Sequence, residues 1–385
     1  MDDIRLKIST LVMSGLKNDS AVKYIYDIYS GDEETAVKAY SSLCEILLSG
    51  GVTLSEYLYR LTTAADDMMF SEYMRTRSGL LRRNISRDIN ILAELSGLTS
   101  EALVNTIRER FSVPDTVTFP EFDSGNTAIS FEDAVSYREQ YGNAFFGENK
   151  AFIYENGMFR AASGFDGIRL SELKSYEIQR NAVIDNTLRL LEGRPHSNVL
   201  LYGDRGTGKS CTVKAVVNEY EKLRIVLVPR SSIASLYDIY DKLRYQPLKF
   251  ILFLDDMSFE DGDPDYGFLK QALEGSVCVM PDNCAIYATT NRRHIIKETS
   301  SERADEHNAA DARDEKASLA DRFGLYITFM SPDKKTYLDI AARLAADRGI
   351  EIDRDELALM AERFAVRKGN RSPRTARQFV DTLEK

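Results

Sequence analysis

Asn198-Val199-Leu200-Leu201-Tyr202-Gly203-Asp204-Arg205-Gly206-Thr207-Gly208-Lys209-Ser210 is the stretch on which the fold turns. An apolar run leads into Gly-x-x-x-x-Gly-Lys-Ser, the pattern of a phosphate-binding loop. Holding a triphosphate requires several backbone N–H groups to converge on its oxygens. Gly203, Gly206 and Gly208 permit so tight a wrap, with Asp204, Arg205 and Thr207 between them. A helix predicted from Cys211 to Glu221, with Val213, Val216, Val217 and Tyr220 at helical spacing, aims its free N–H groups and positive dipole end at the phosphates. Lys209 is placed to reach the β- and γ-phosphates and Ser210 to bind Mg²⁺, while Cys211 follows the loop directly.

Outward from the loop, apolar runs of strand length alternate with helical patterns. Arg224–Pro229, Lys249–Leu254, Cys284–Ala288 and Leu325–Phe329 predict strands, and Leu236–Leu243 and Phe268–Leu273 predict helices. Helical spacing also runs from Leu170 to Leu191, ahead of the loop. Strands this apolar, alternating with helices, predict a parallel sheet covered on both faces. From Asp333 to Lys385 the pattern is helical again.

Residues 1–112 keep helical spacing throughout, as in Ile4, Ile8, Leu11 and Val12, with Gly15, Gly31, Gly50-Gly51 and Gly97 where helices would end. This predicts about four to six helices, Ile85–Leu95 among the last. After Ser112 the signal changes: Pro114 and Pro120 favour extended chain, Phe131–Tyr141 predicts a short helix, and Ala151–Tyr154, Asn156-Gly157 and Met158–Arg160 predict a β-hairpin. The predicted organisation is an α-helical N-terminal domain (1–112), a connecting segment with the hairpin (113–169), an α/β nucleotide-binding domain (170–331) and a C-terminal helical module (332–385).

With 385 residues, 43 % hydrophobic and 29 % charged, the chain has the composition of a soluble globular protein. Its start lacks a basic-then-apolar signal and no apolar run approaches about 18 residues, so a cytoplasmic location with no membrane partner is expected. Cys44, Cys211, Cys278 and Cys284 show no metal-ligand spacing, and His196, His294 and His307 are scattered. The net charge of −10 disfavours a protein that coats nucleic acid. The local cluster Arg75, Arg77, Arg82, Arg83 and Arg87 fits a solvated helix face or a protein contact better.

Further chemistry sits at strand ends. The strand over 250–254 ends in Asp255-Asp256, where a Mg²⁺ ligand and a carboxylate to orient water are needed. Asn291, with Thr290 as the alternative, closes the next strand with a polar group for the water or γ-phosphate. Arg322 precedes the strand at 325–329, and Arg374 and Arg377 lie in a helix opened by Pro373.

In this order the motifs resemble those of AAA+ ATPases, from about Leu170 to the end. More closely, Gly203–Ser210, Phe250–Glu260, Ile286–His294 and Leu319–Gly324 resemble a bacterial family of predicted ATP-binding proteins of unknown function. The resemblance implies an α/β P-loop NTPase fold of the AAA+ kind: a three-layer, five-stranded parallel sheet with a C-terminal helical lid, here beside the N-terminal helical domain. It implies ATP and Mg²⁺ as ligands, a homo-oligomeric ring or open spiral, and a protein client. Lys209 and Ser210 would be Walker A ligands, Asp255 the Walker B magnesium ligand and Asn291 the sensor 1 residue. Arg322 would be a finger reaching the neighbouring subunit's γ-phosphate, and Arg374 the sensor 2 arginine, with Arg377 competing. Leu173, Tyr176 and Ile178 sit where such proteins hold adenine. One departure matters: Asp256 stands where most relatives have glutamate, so turnover is expected to be slow, with Glu260 a less suitable substitute base. The segment 297–318 is expected to be a loop. The expected function is Mg²⁺-dependent ATP hydrolysis coupled to remodelling or assembly of a client; the alternatives are an ATP-dependent binding switch with little turnover, and a DNA-associated initiator or loader.

Overall fold

The computed structural model describes residues 2–64, 67–114, 116–258, 263–274, 279–291 and 322–383. Glu260 and the segment 297–318 lie outside the described residues. The chain divides into two compact units, Met1–Glu148 and Asn149–Lys385. Among the described residues no helix is long and apolar enough to cross a membrane.

The first unit is all helical. It comprises α1 (Asp2–Ser9), α2 (Ser14–Lys17), α3 (Ser20–Ser30), α4 (Glu33–Gly50), α5 (Leu54–Ala64), α6 (Met68–Thr76), α7 (Gly79–Leu95), α8 (Ser100–Phe111), α9 (Phe131–Tyr141) and α10 (Ala144–Glu148). Before Ser112 the helices are shorter and more numerous than apolar spacing alone predicts. The reason is capping: side chains of Asp19, Asp32, Asp67, Ser78 and Thr99 accept N–H groups in the first turns of α3, α4, α6, α7 and α8, restarting the helix each time. Gly31 and Gly51 do close α3 and α4, but Gly15 lies inside α2. Ile25, Tyr40, Leu43, Phe70, Ile89 and Leu92 are fully buried in a shared core. Asp88 is buried with them, accepting the N–H groups of Val12 and Met13 at 2.8 Å each and pairing with Arg87. The basic cluster is largely ion-paired: Arg75 with Glu72, Arg77 with Glu139 and Arg82 with Glu132.

In the second unit, β1 (Ala151–Glu155) and β2 (Met158–Ala161) form the hairpin, with Asn156 and Gly157 both at positive φ as its turn requires. Helical structure after Leu170 starts late: a short 3₁₀ turn comes first, and α11 spans Glu177–Leu191. There follow β3 (Val199–Gly203), α12 (Lys209–Glu219), β4 (Leu223–Leu227), α13 (Leu236–Leu243), β5 (Lys249–Leu254), α14 (Pro264–Glu274), β6 (Cys284–Thr290) and β7 (Leu325–Phe329). Helices α15 (Lys334–Asp347), α16 (Arg354–Lys368) and α17 (Pro373–Asp381) complete the unit.

The sheet order is β2-β1-β4-β5-β6-β3-β7. Every pairing is parallel except β1 with β2. Five of the strands, β4-β5-β6-β3-β7, form an all-parallel sheet, and the three helices α15–α17 form a C-terminal cluster, called the lid below. The sheet has seven strands rather than five because β1 pairs in parallel with β4, carrying the hairpin into the sheet. Phe250 to Leu254 are all buried, as expected of a central strand covered on both faces. Val213, Val216 and Val217 of α12 and Val183 and Leu190 of α11 pack with Leu201, Ile251, Phe253 and Tyr287. The lid has its own core, including Tyr337, Ile340, Leu357, Ala361, Phe379 and Val380.

Candidate functional site

The carboxyl ends of β3, β5 and β6 converge on one cavity of about 530 Å³. Sequence dictates its floor. β3 ends at Gly203, and the chain wraps with Gly203, Gly206 and Gly208 at φ of 136°, 81° and 97°, a region that side chains other than glycine rarely enter. Gly208 is then the N-cap of α12, whose first turn contributes Lys209, Ser210, Cys211 and Thr212 to the lining. Asp204 is anchored by its N–H to Phe329 O at 3.0 Å, and its carboxylate accepts Ser331 N–H at 2.8 Å. That hydrogen bonding holds the Asp204 carboxyl below its ordinary range.

Lys209 is buried and donates to Gly203 O at 2.7 Å, Asp204 O at 2.8 Å and Asn291 Oδ1 at 3.0 Å. Burial pushes its ammonium below the usual lysine value, opposed by the carboxylates of Asp256, Asp204 and Asp255. Ser210 Oγ donates to Asp255 Oδ1 at 2.6 Å. Asn291 turns its amide nitrogen to Asp256 Oδ1, so this one side chain bridges Lys209 and Asp256. Asp256 itself has φ 51°, a left-handed conformation at the turn after β5.

The lid closes the other side. Arg374 and Arg377, three residues apart and thus on one face of α17, both line the cavity, as do Ile340 and Leu344 of α15. The backbone of α17 docks on the loop, Arg374 N–H donating to Gly206 O at 3.2 Å. Lys174, also in the lining, pairs with Asp347 at the end of α15 at 2.6 Å.

At the apolar end, Leu173 and Tyr176 line the cavity together with Ile168. Tyr176 lies 5.2 Å from the Phe329 ring and donates to Met330 O at 2.6 Å; burial pushes its phenol up to about 12. Ile178 is not in the lining and is 83 % exposed. The left-handed residues Ser175 and Tyr176 turn the chain just before α11, which sets Tyr176, rather than Ile178, against Phe329. Arg322 is not in the lining either; it pairs with Glu274 at the end of α14. Sequence reasoning missed Thr289. Its hydroxyl donates to Asp255 Oδ1 at 2.6 Å and accepts Asp256 N–H at 2.8 Å. Its signal was a polar, β-branched residue two before Asn291, one of two threonines that end a mostly apolar strand.

Residues 147–385 match a family described as "Protein of unknown function (DUF815)". The chain belongs to that family. A comparison with curated proteins gives no match. Among solved structures, the Thermotoga maritima RuvB Holliday junction branch migration motor is 18 % identical, with a TM-score of 0.39, covering 55 % of this chain and 63 % of that one. A second structure of Thermotoga maritima RuvB is 17 % identical, with the same TM-score and coverage. The chain thus spans less than two thirds of the length of these structures.

Proposed function

We propose that this protein binds ATP with Mg²⁺ and hydrolyses it, coupling the cycle to remodelling or assembly of a client. The observation that carries this reading is a single cavity into which the 203–210 loop, Asp255, Asp256, Asn291 and the lid arginines all open. In the binding step, loop N–H groups and Lys209 hold the β- and γ-phosphates, and the apolar end formed by Ile168, Leu173 and Tyr176 takes the base. Lys209 exchanges its backbone carbonyl partners for phosphate oxygens. Ser210 Oγ and Asp255, 2.6 Å apart, are the hard oxygen donors that suit Mg²⁺, which needs only one or two protein ligands beside phosphates. Held by Ser210 and Asp255, Mg²⁺ would supply positive charge to offset the negative charge that develops on the phosphates. Asp256 orients and deprotonates the attacking water, Asn291 holds that carboxylate in place, and Arg374, with Arg377 beside it, faces the γ-phosphate. The lid keeps bulk water out of the cavity. Arg322, absent from its own chain's cavity, serves a neighbouring copy in a homo-oligomer.

The test is nucleotide binding and turnover. Lys209→Ala should lose ATP affinity while staying folded, and wild-type affinity in the purified variant would remove the assignment of the loop. Turnover should rise with protein concentration, and turnover unchanged in Arg322→Ala would remove the finger acting between subunits. A second reading, an ATP-dependent switch with little turnover, is favoured by the short Asp256 side chain being tied to Asn291. Near-zero turnover together with ATP-dependent assembly selects it. The DNA-associated reading is weakened by the ion-pairing of Arg75, Arg77, Arg82 and Arg87. A salt-sensitive DNA affinity in the presence of ATP would restore it.

A further inference from the structure

We propose that Thr289 is the positioning residue that sets Asp255 and Asp256 relative to each other, an inference that rests on the ATPase reading of the same site. Thr289 is only 1 % exposed, near the end of β6. Strand register puts it there: Ala288 pairs with Leu254, the last residue of β5, and Thr289 pairs with Leu201 of β3. The residue after Ala288 therefore stands beside the residue after Leu254, which is Asp255. A β-branched side chain in a strand has few χ1 options, so its hydroxyl is held rather than swivelling.

A threonine hydroxyl has one proton and two lone pairs. Here the proton goes to Asp255 Oδ1 at 2.6 Å and a lone pair accepts Asp256 N–H at 2.8 Å. The Thr289 carbonyl accepts Met257 N–H at 2.7 Å. One residue thus makes bonds to three successive residues of the turn after β5. They hold Asp256 at a positive φ, uncommon for a residue other than glycine, and from there its carboxylate meets Asn291. Ser210 donates to the same oxygen of Asp255, Oδ1, as Thr289 does. Among the described residues Oδ2 is left without a protein donor, and Thr289 keeps the carboxylate fixed when Ser210 changes partner. A threonine that merely filled space would be replaced by valine at a cost in stability alone. A threonine that positions the acids must change how the site responds to magnesium.

The experiment uses the full-length protein and two variants: Thr289→Val, which keeps the shape and removes the hydroxyl, and Thr289→Ser, which keeps the hydroxyl. If the valine variant fails to fold, Thr289→Ala takes its place. The first readout is the NMR amide resonance of Asp256 without ligand. The second is the affinity for a fluorescent ATP analogue with Mg²⁺ and with EDTA. In Thr289→Val the Asp256 resonance should move, and the gain in affinity that Mg²⁺ brings should fall about tenfold, with affinity in EDTA unchanged. kcat should fall while KM changes little, and Thr289→Ser should restore all of these. An unmoved Asp256 resonance in Thr289→Val overturns the proposal, as does an undiminished magnesium gain where the wild type has one. If the wild type itself gains nothing from Mg²⁺, the ATPase reading fails instead; a resonance that moves in valine and returns in serine then still upholds the positioning role.

Discussion

Replacing Gly206 by alanine tests whether the lid is docked on the 203–210 loop. Gly206 has φ 81°, and a Cβ built on it would lie 2.8 Å from Ser372 Oγ and 3.2 Å from Arg374 Cβ. Its carbonyl accepts the Arg374 N–H at 3.2 Å. Two costs follow. Holding alanine in the left-handed region costs about 1–2 kcal/mol. Relieving the contact with Ser372 and Arg374 pulls α17 back and breaks the Arg374 bond, about 1 kcal/mol more. Gly208 provides a matched control: its φ is 97°, but no atom lies within 4 Å of an added Cβ, so alanine there incurs only the first cost in the ligand-free protein. In urea denaturation Gly206→Ala should therefore destabilise the second unit by about 1 kcal/mol more than Gly208→Ala. Hydrogen exchange at the Arg374 amide should accelerate by about fivefold in Gly206→Ala alone. Equal exchange at Arg374 in the two variants would refute the docking of lid on loop.

Asp88→Ala should destabilise the first unit by about 3 kcal/mol, because it removes a buried acceptor of two backbone N–H groups and of Arg87; a loss under about 1 kcal/mol by urea denaturation would contradict that. Lys150, half-buried with its Nζ 2.7 Å from Tyr220 O, is pulled down to about 8 from 10.5, by burial first and then by neighbouring Arg224. Between those two values the unfolded chain binds more protons than the folded one, so this group makes stability rise with pH across that window. Solvent screening of a half-exposed group reduces the gain to about 1 kcal/mol; urea denaturation at both ends of the window should lose this increment in Lys150→Met, and an identical pH profile would count against it. Lys174→Ala should speed release of a fluorescent ADP by up to about fivefold at low salt, because it removes the Lys174–Asp347 bridge between cavity wall and lid; an unchanged low-salt release rate would show that the bridge does not restrain the lid.

The elements that bury apolar runs were the easiest to read. β5 spans Lys249–Leu254, its five apolar residues Phe250–Leu254 following Lys249 as predicted, and Asn156-Gly157 adopts the paired positive φ values that the hairpin needs. Where polar side chains decide, spacing said less. The breaks at Asp19, Asp32 and Asp67 depend on a carboxylate reaching one or two N–H groups, a local bond that apolar periodicity does not register. β1 was legible as a strand but not as a neighbour of β4, because pairing partners are set by the tertiary packing of the whole sheet. In the site, Lys209, Ser210, Asp255, Asp256 and Asn291 come together because each sits at a strand end or on the loop. Ile178 does not join them, since two left-handed residues redirect the chain just ahead of it. Thr289 went unnoticed because its role lies in contacts with Asp255 and Asp256, more than thirty positions away in sequence.

The polar side chains of the cavity bond to one another, which on the ATPase reading constrains how a nucleotide binds. The three protons of Lys209 go to Gly203 O, Asp204 O and Asn291 Oδ1, the hydroxyl of Ser210 goes to Asp255, and the amide of Asn291 goes to Asp256. Binding is then an exchange of partners, and its driving force is the difference between two sets of hydrogen bonds. For Lys209 that difference is favourable. Burial already disfavours its charge, and phosphate oxygens replace neutral carbonyls with charged acceptors, whose bonds are roughly twice as strong. For Asn291 the exchange has a second effect. Its oxygen faces Lys209 and its nitrogen faces Asp256, so on that reading a phosphate that draws Lys209 away frees the oxygen end of a side chain whose other end holds the Asp256 carboxylate, proposed to orient water. On the ATPase reading, arrival of the γ-phosphate and readiness of Asp256 are therefore linked through Asn291, while Thr289 fixes the backbone from which Asp256 acts.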